Sequence, residues 1–138
     1  MITVKRMDNE KDYRLVREEV FMKEQGFQNE FDDIDAIALH ITLYVDGKLA
    51  GCARCFPSSE PDTYVFGRIA VRKEYRGSGL GARLLQELEK AAKDKKALHA
   101  VLDAQCRAAV FYEKQGYCKS GEEHMDEHVP HIQMRKDL

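Results

Sequence analysis

The chain lacks the features that mark a membrane, secreted or nucleic-acid-binding protein. None of its apolar runs approaches the ~20 residues that a membrane span requires. Its first residues, MITVKRMDNE, have no apolar stretch behind their charges, so we expect no secretory signal and a cytoplasmic location. The formal net charge is only −2, which provides no basic field for nucleic acid or anionic lipid. We therefore expect small-molecule or protein partners, and neither nucleic acid nor a membrane.

The spacing of the cysteines argues against a metal or redox site. Of four cysteines, only Cys52 and Cys55 form a Cys-x-x-Cys pair, whereas a zinc ribbon needs two such pairs. Residues three apart in a strand also point to opposite faces. A second metal candidate, the histidines of HMDEHVPH (124–131), is interrupted by Pro130, which prevents one helix face from presenting all three. We expect reduced thiols and no metal.

The length and apolar content predict a single domain, residues 1–138, with one core. A strand is predicted at Ile2–Arg6, and two more flank Asp46-Gly47, a dipeptide typical of type I′ hairpin turns. Between them lies an amphipathic helix, which Asp8 or Asn9 can cap. Its apolar face and its glycine stop are formed by Tyr13, Val16, Val20, Phe21 and Gly26.

The second half of the chain predicts a mixed sheet. A strand at Thr63–Val71 precedes an amphipathic helix that runs to about Lys95, and a further strand follows at Ala97–Ala104. Because a helix connects these two strands, we expect them to be parallel. A short helix then ends at Gly116, and YCKS and HIQMRK form two last strands. The fold class is α+β, with three layers and a mixed central β-sheet flanked by helices; its edge strands allow a homodimer.

Three glycines, Gly77, Gly79 and Gly81, stand where this helix begins, although each costs about 1 kcal/mol in a helix interior. A helix N-terminus binds phosphate when the backbone is accessible, and glycine removes the side chains that would block it. Basic residues flank the segment: Arg72, Lys73, Arg76 and Arg83. The pattern therefore predicts a phosphate or pyrophosphate site, and the simpler alternative is a flexible glycine-rich loop.

A dinucleotide-binding motif is a second alternative for the same glycines. Gly77, Gly79 and Ala82 match G-x-G-x-x-A, and Asp103 ends the next strand. In that motif the strand leads almost directly into the first glycine, yet Arg72–Arg76 intervene here, a hairpin precedes the unit, and the chain ends too soon after Asp103. These departures count against nicotinamide binding.

RGSGLG, preceded by the strand GRIAV, resembles the R-x-x-G-x-G signature of the GNAT superfamily of N-acetyltransferases. AAVFYEKQGY is similar to that family's A-x-x-x-Y-x-x-x-G-F segment. Further segments resemble the ElaA-like branch: VFMKEQGF, DDIDAIALH, HAVLDAQ and HVPHIQMRK. The resemblance spans the chain and implies a GNAT-like fold, with acetyl-CoA as co-substrate and no metal.

The resemblance also implies a set of functional residues. Tyr112 falls where the family places the acid that protonates the leaving thiolate, although it can instead be a core aromatic, since Phe111 is its neighbour. Pantetheine is expected to pair with the strand before the glycines, and a strand N–H to steady the oxyanion. The implied acetyl-CoA-binding residues are Ile69, Ala70, Val71, Arg76, Gly77, Ser78, Gly79, Leu80, Gly81 and Gln105.

The general base is harder to assign. Many family members carry a glutamate near Phe66 or Gly67, and this strand has none. Glu24 is the leading candidate for catalysis and substrate binding; the other candidates are His40, Asp103 and His131. His40 and His131 are also expected to bind substrate. A cationic amine can be attracted by Asp32, Asp33 and Asp35, or these can be a solvated acidic loop.

Three functions follow as hypotheses. The first is acetyl-CoA-dependent N-acetylation of a small primary amine (an amino sugar, a polyamine or an amino-acid-like compound) by direct transfer. The second is acetylation of a protein or peptide amine. The third is a catalytically silent module that binds CoA as a sensor, a hypothesis motivated by the missing strand carboxylate.

Overall fold

The computed structural model describes the whole chain, residues 1–138, and its first strands form an antiparallel sheet. Four strands pair in chain order: β1 (Ile2–Lys5), β2 (Leu39–Val45), β3 (Lys48–Pro57) and β4 (Thr63–Val71). The hairpin between β2 and β3 turns at Asp46 and Gly47, whose φ angles of 50° and 80° are the positive values that a type I′ turn requires. This hairpin and β4 confirm the sequence-based predictions.

Three α-helices flank the sheet: α1 (Glu10–Arg17), α2 (Leu80–Asp94) and α3 (Ala109–Lys114). Helix α1 continues as a π-helical segment, Glu18–Glu24. Asn9 occupies the N-cap position of α1, but the predicted side-chain cap is wrong. Its buried amide instead donates to the Lys5 and His40 carbonyl oxygens and to Thr42 Oγ1, because a buried polar group must find partners and β2 provides them.

Four further strands complete the sheet: β5 (His99–Gln105), β6 (Cys118–Lys119), β7 (His124–Asp126) and β8 (Val129–Asp137). Strand β5 is parallel to β4, as predicted, and β8 lies antiparallel beside β5. Both β6 and β7 pair with β8. The order β1-β2-β3-β4-β5-β8-β6 confirms the mixed sheet. Sequence analysis does not predict β7, because its three residues are all exposed and show no apolar alternation.

Helices α1 and α2 cover opposite faces of the sheet and give the predicted three layers. The smaller core contains Tyr13 and Val16 of α1 together with Cys52. The larger core contains the apolar stripe of α2: Leu80, Leu84, Leu85, Leu88, Ala91 and Ala92. Cys52 and Cys55 lie in different layers, as their spacing predicts, and all four cysteines are free thiols. None of the helices is both long and apolar enough to cross a membrane.

The sheet opens between β4 and β5. Parallel pairing runs from Thr63 with His99 to Phe66 with Leu102 and stops there. Beyond Phe66, β4 pairs with β3 alone, through an irregularity at Arg68, whose φ is 50°. Strand β5 meanwhile continues along β8. Because a bulge bends its strand, β4 diverges from β5, and a cleft opens between their free edges.

Candidate active site

The glycine loop before α2 presents unpaired backbone N–H groups. Gly77 and Gly79 have φ angles of 87° and 82°, a conformation that strains other residues, and Gly79 is the N-cap of α2. A Cβ at either glycine would meet no atom within 4 Å, so backbone conformation, rather than packing, requires glycine. No N–H group from Gly77 to Ala82 donates a hydrogen bond within the chain. These groups and the positive end of the α2 dipole fit a phosphate or pyrophosphate.

The arginines around this loop are not free, contrary to the expectation that they supply positive charge there. The ion pairs are Arg72 with Glu19 (2.9 Å), Arg76 with Glu24 (2.8 Å) and Arg83 with Glu87 (3.2 Å). Glu19 and Glu24 lie on the π-helical segment and Glu87 lies on α2, so folding brings each acid to its arginine. The attraction for an anion therefore comes from the backbone N–H groups and from Lys73, which is exposed and forms no ion pair.

The end of β4 turns the backbone of one residue toward its open edge. Arg72 donates its N–H to the Ala50 carbonyl oxygen of β3 at 2.8 Å. Strand alternation then turns the backbone of Val71 away from β3, toward the open edge, and that of Ala70 toward β3. The Val71 carbonyl oxygen accepts a hydrogen bond from Arg76 Nε at 2.9 Å. Of the predicted pantetheine contacts, Val71 thus has the suitable orientation and Ala70 does not.

The cleft between β4 and β5 has a volume of about 360 Å³. Its walls come from these two strands, from α3 and β8, and from the segment that follows α1. Among its lining residues are Phe66, Gly67, Arg68, Ile69, Asp103, Gln105, Tyr112 and His131. Gln105, Tyr112 and His131, which sequence analysis assigns to the site, are therefore brought together.

Tyr112 lines the cleft from α3, whereas its neighbour Phe111 faces α2, where a Cβ on Gly81 would lie 3.5 Å from the Phe111 ring. The Tyr112 hydroxyl forms no hydrogen bond within the chain. Burial raises the pKa of Tyr112 to about 12, so its hydroxyl stays protonated at neutral pH. The pKa of Tyr112 therefore lies further from that of a thiol, about 8.5, than the ordinary phenol pKa of about 10 does.

Gln105 and His131 are held in place by neighbours. The Gln105 amide donates to Gln25 Oε1 at 2.8 Å and accepts from Arg107 Nε at 2.9 Å, so it links β5 to the end of the π-helical segment. His131 is buried, and its Nδ1 lies 2.9 Å from the Val129 carbonyl oxygen. Both side chains are therefore fixed by these contacts where they line the cleft.

The geometry argues against Glu24 as the base. Glu24 is exposed and does not line the cleft; both of its oxygens accept hydrogen bonds from Arg76, at 2.8 and 2.9 Å. These hydrogen bonds lower the pKa of Glu24, which makes it a weaker base. The EQ segment instead contributes Gln25 to the cleft, one residue further along.

The structure also places His40 away from the cleft. Its ring stacks on Tyr13 with centroids 3.8 Å apart, and its Nε2 lies 2.9 Å from the Asp35 carbonyl oxygen. Burial lowers the pKa of His40, so the ring is neutral at neutral pH. His40 is a core histidine of β2 that packs against α1, and it does not line the cleft where its contact with substrate is expected.

The acidic segment after α1 is neither a solvated loop nor a cation attractor at Asp32 and Asp35. Three arginines bind these carboxylates: Arg17 with Asp35 (2.7 Å), Arg54 with Asp32 (2.7 Å) and Asp35 (2.8 Å), and Arg68 with Asp32 (3.3 Å). Although burial opposes the effect, the hydrogen bonds from Arg17 and Arg54 hold the pKa of Asp35 well below its usual range. Only Asp33 remains exposed without such a partner.

Glu30 is a cleft residue that sequence analysis misses. It is buried, lines the cleft, and its Oε2 pairs with Arg17 at 2.8 Å and Arg68 at 2.9 Å. In sequence it is one acid among several in QNEFDDID, and nothing there distinguishes it. Its single neighbouring phenylalanine, Phe31, gives no periodic signal of burial.

The three histidines of the last hairpin have separate partners. The His124 ring lies 2.9 Å from Asp103 Oδ2, which raises the pKa of His124, and His128 Nε2 lies 2.6 Å from the Gln25 carbonyl oxygen. No three or more His, Cys, Asp or Glu side chains are grouped so as to hold a metal ion. Asp103, one of the predicted bases, is thus engaged by His124.

Comparison with known proteins relates this site to a family. The family model described as an acetyltransferase (GNAT) domain matches residues 9–138. The chain is also 39% identical over 140 residues to a Bacillus subtilis protein named uncharacterized N-acetyltransferase YjcF, with 99% of this chain and 98% of that protein covered. The match supports an acyltransferase and replaces the dinucleotide-binding alternative.

Two solved structures share the fold. An acyl-CoA N-acyltransferase from Pseudomonas aeruginosa superposes with a TM-score of 0.84 at 26% identity, covering 99% of this chain and 98% of that one. Escherichia coli ElaA superposes with a TM-score of 0.88 at 23% identity, covering 99% and 100%. The predicted resemblance to ElaA is therefore confirmed in the fold. From its sequence match and its architecture, the chain belongs to the GNAT family of acetyltransferases.

Proposed function

We propose that this acyltransferase moves an acetyl group from acetyl-CoA to the primary amine of a small molecule, such as an amino sugar, a polyamine or an amino-acid-like compound. The transfer is direct, within a ternary complex of the enzyme and both substrates. One observation carries the proposal: β4 leads from the cleft that Tyr112 lines to the unpaired N–H groups of residues 77–82. This arrangement supports a donor that is held at the glycine loop and reaches along β4 into the cleft.

The chain has groups suited to two parts of acetyl-CoA. The N–H groups from Gly77 to Gly81 suit the pyrophosphate, and the outward N–H of Val71 suits a carbonyl of the pantetheine arm, as in strand addition to a free sheet edge; the Val71 carbonyl oxygen is already bonded to Arg76. Gln105 lines the opposite wall of the cleft. Acetyl-CoA supplies the acetyl thioester, and the name of the Pseudomonas relative agrees with a donor of this class.

Tyr112 is the proposed acid for the leaving sulfur. Its hydroxyl has no competing hydrogen bond, and its raised pKa of about 12 keeps the proton in place until the sulfur needs it. A backbone N–H of β4, within Ile69–Val71, is proposed to stabilise the oxyanion that forms when the amine attacks.

Contacts between residues 27–29 and the β7–β8 turn, both of which contribute to the cleft lining, favour a small acceptor. Glu127, in the turn between β7 and β8, accepts hydrogen bonds from the Gln28 and Asn29 N–H groups at 2.9 and 3.0 Å. The Phe27 and His128 rings also lie together, with centroids 5.2 Å apart. These contacts join the segment after α1 to the β7–β8 turn, and both line the cleft. A peptide would have to open this bridge, whereas a small amine would not.

An acceptor screen tests the proposal. The protein and acetyl-CoA are offered polyamines, amino sugars, amino acids and peptides with lysine or a free N-terminus, and release of the CoA thiol is followed. We expect turnover of one or more small amines. Turnover of peptides alone would replace the small acceptor with a peptide, and CoA binding without turnover of any amine would indicate a silent CoA-binding module. If neither acetyl-CoA nor CoA binds at sub-millimolar concentration, the donor assignment is refuted.

A further inference from the structure

Glu30 is a buried carboxylate with one oxygen left free at the wall of the cleft. The residue is only 5% exposed, and its Oε2 is shared by Arg17 Nε and Arg68 Nε. Oε1 accepts no hydrogen bond within the chain. Among the fully buried side-chain nitrogen and oxygen atoms, only Arg54 Nε lacks a hydrogen-bond partner. Because Glu30 Oε1 also lacks a partner, it is not fully buried. Since Glu30 lines the cleft, Oε1 is accessible from there.

The other carboxylates of the cleft are engaged or lie at its rim. Asp103 pairs with the His124 ring at 2.9 Å. Glu127 accepts the backbone N–H groups that bridge the cleft. Asp126 is exposed on β7, where solvent surrounds it. Glu30 therefore combines three properties that the others lack together: a free oxygen, a water-poor surrounding and a place in the same cleft as Tyr112.

We propose that Glu30 is the general base, taking a proton from the ammonium group of the acceptor onto Oε1. The inference rests on the proposed function, because it requires an amine in the cleft beside Tyr112. An N–H bond of the ammonium group breaks, an O–H bond to Oε1 forms, and the freed lone pair on nitrogen attacks the acetyl carbon. The carbon–sulfur bond then breaks as Tyr112 donates its proton to the sulfur. Solvent removes the proton from Glu30 and the second amine proton, and returns one proton to Tyr112.

The charges around Glu30 determine the pH range in which it acts. Burial raises the pKa of Glu30, and this effect outweighs the opposing influence of the nearby arginines. The charged groups that act on Glu30 are Arg17 of α1, Arg54 of β3 and Arg68 of β4, and the same arginines bind Asp32 and Asp35. A carboxyl with a raised pKa is a stronger base when ionised, and the ion pairs with Arg17 and Arg68 favour the ionised form.

Three variants separate a catalytic from a structural role. Glu30→Gln removes the base but keeps the shape of the side chain, and Glu30→Asp keeps a carboxylate. Asp35→Asn is the matched control, since Asp35 also pairs with Arg17 but does not line the cleft. For each protein, kcat/KM for an amine that the wild type acetylates is measured against pH, and a thermal shift with acetyl-CoA reports folding and donor binding. A ¹³C NMR titration of the Glu30 carboxyl gives its pKa without any acceptor.

We expect the wild-type kcat/KM to rise with pH through a pKa above 4.5, the ordinary glutamate value. Glu30→Gln should lose about 10²-fold or more in kcat/KM, together with this acid limb, and should still bind acetyl-CoA. Glu30→Asp should restore the acid limb, and Asp35→Asn should keep it. The Glu30 carboxyl should titrate above 4.5 in the NMR experiment.

A Glu30→Gln variant that keeps the wild-type acid limb overturns the assignment and leaves acetyl transfer intact. A Glu30 carboxyl that titrates below 4.5 also overturns the assignment. Loss of the acid limb in Asp35→Asn as well as in Glu30→Gln overturns it too, since a purely structural role of Glu30 would then explain the result. If the wild type binds acetyl-CoA but acetylates no amine, the proposed function fails and this assignment falls with it.

Discussion

Replacing Tyr112 with phenylalanine should abolish most of the turnover and leave the fold unchanged. The substitution removes only the hydroxyl, which forms no hydrogen bond within the chain. No buried partner is left unsatisfied, so the free energy of unfolding should change by no more than about 0.5 kcal/mol. We therefore expect Tyr112→Phe to lower turnover without lowering the stability of the fold.

The expected loss of activity follows from the role of the hydroxyl. Removing a general acid costs about 10²- to 10⁴-fold in rate. At 1.36 kcal/mol for each factor of ten, this corresponds to about 2.7–5.4 kcal/mol of transition-state stabilisation. Because burial raises the pKa of Tyr112 to about 12, the wild-type rate should also show no decline from Tyr112 ionisation up to about pH 10.

Tyr117 provides the matched control. It is fully buried, lies against Tyr112 with ring centroids 6.1 Å apart, and does not line the cleft. Its hydroxyl donates to Glu89 at 2.8 Å, so Tyr117→Phe removes a hydrogen bond to a charged group and should cost about 1.5–3 kcal/mol of stability. Turnover per folded molecule should stay near that of the wild type.

The assay is acceptor-dependent release of the CoA thiol at saturating acetyl-CoA, accompanied by urea unfolding of each variant. Donor affinity is measured by titration calorimetry and should be the same for Tyr112→Phe and the wild type. Turnover by Tyr112→Phe within about threefold of the wild type would refute the proposed acid, since general acids contribute far more. Equal losses in both variants would attribute the effect to packing instead.

Three further outcomes are expected. Gly79→Ala and Gly47→Ala place alanine at φ angles of 82° and 80°, where a Cβ meets no atom, so each variant should lose about 1–2 kcal/mol of stability. Calorimetry should find weaker CoA binding for Gly79→Ala alone. Equal CoA affinities of the two variants would contradict the glycine-loop site. Arg17→Met removes one of the two arginine partners of Glu30 and of Asp35 and leaves the network with one excess negative charge, so it should cost about 3–5 kcal/mol in urea unfolding; a loss under about 1 kcal/mol would contradict the ion-pair network. The arginines lower the pKa of Asp32 and Asp35. The stabilisation from these ion pairs is therefore complete above pH 3.8, the ordinary aspartate value, and is lost as the pH falls through 3.8 toward the lowered pKa values. A urea midpoint that does not fall on acidification below pH 3.8 would contradict this.

Local sequence patterns predict most of the fold because their causes are local. The Asp46-Gly47 turn needs only two residues that tolerate positive φ, and β4 and α2 each carry an uninterrupted apolar pattern. The crossover between β4 and β5 makes them parallel by chain geometry alone. Strand β7 escapes prediction because it is short and exposed, and pairs only through its backbone.

The candidate site is predicted less completely, because charge pairing depends on residues far apart in sequence. Glu24 meets Arg76 across 52 positions, and Arg68 meets Glu30 across 38. The sequence gives no indication of which acid each arginine takes, so Glu24 is expected at the site and Glu30 is overlooked. Tyr112 and Gln105 are predicted because the resemblance to the family marks their positions, and the structure shows that both line the cleft between the splayed strands.

A thermal-shift titration with acetyl-CoA, CoA and NAD in parallel tests whether the glycine loop binds acetyl-CoA. We expect both CoA compounds to raise the melting temperature, with a stabilisation of about 2.7 kcal/mol at a hundredfold excess over Kd, and NAD to have no effect. A shift with NAD alone, or none with either CoA compound, would refute acetyl-CoA binding at this loop.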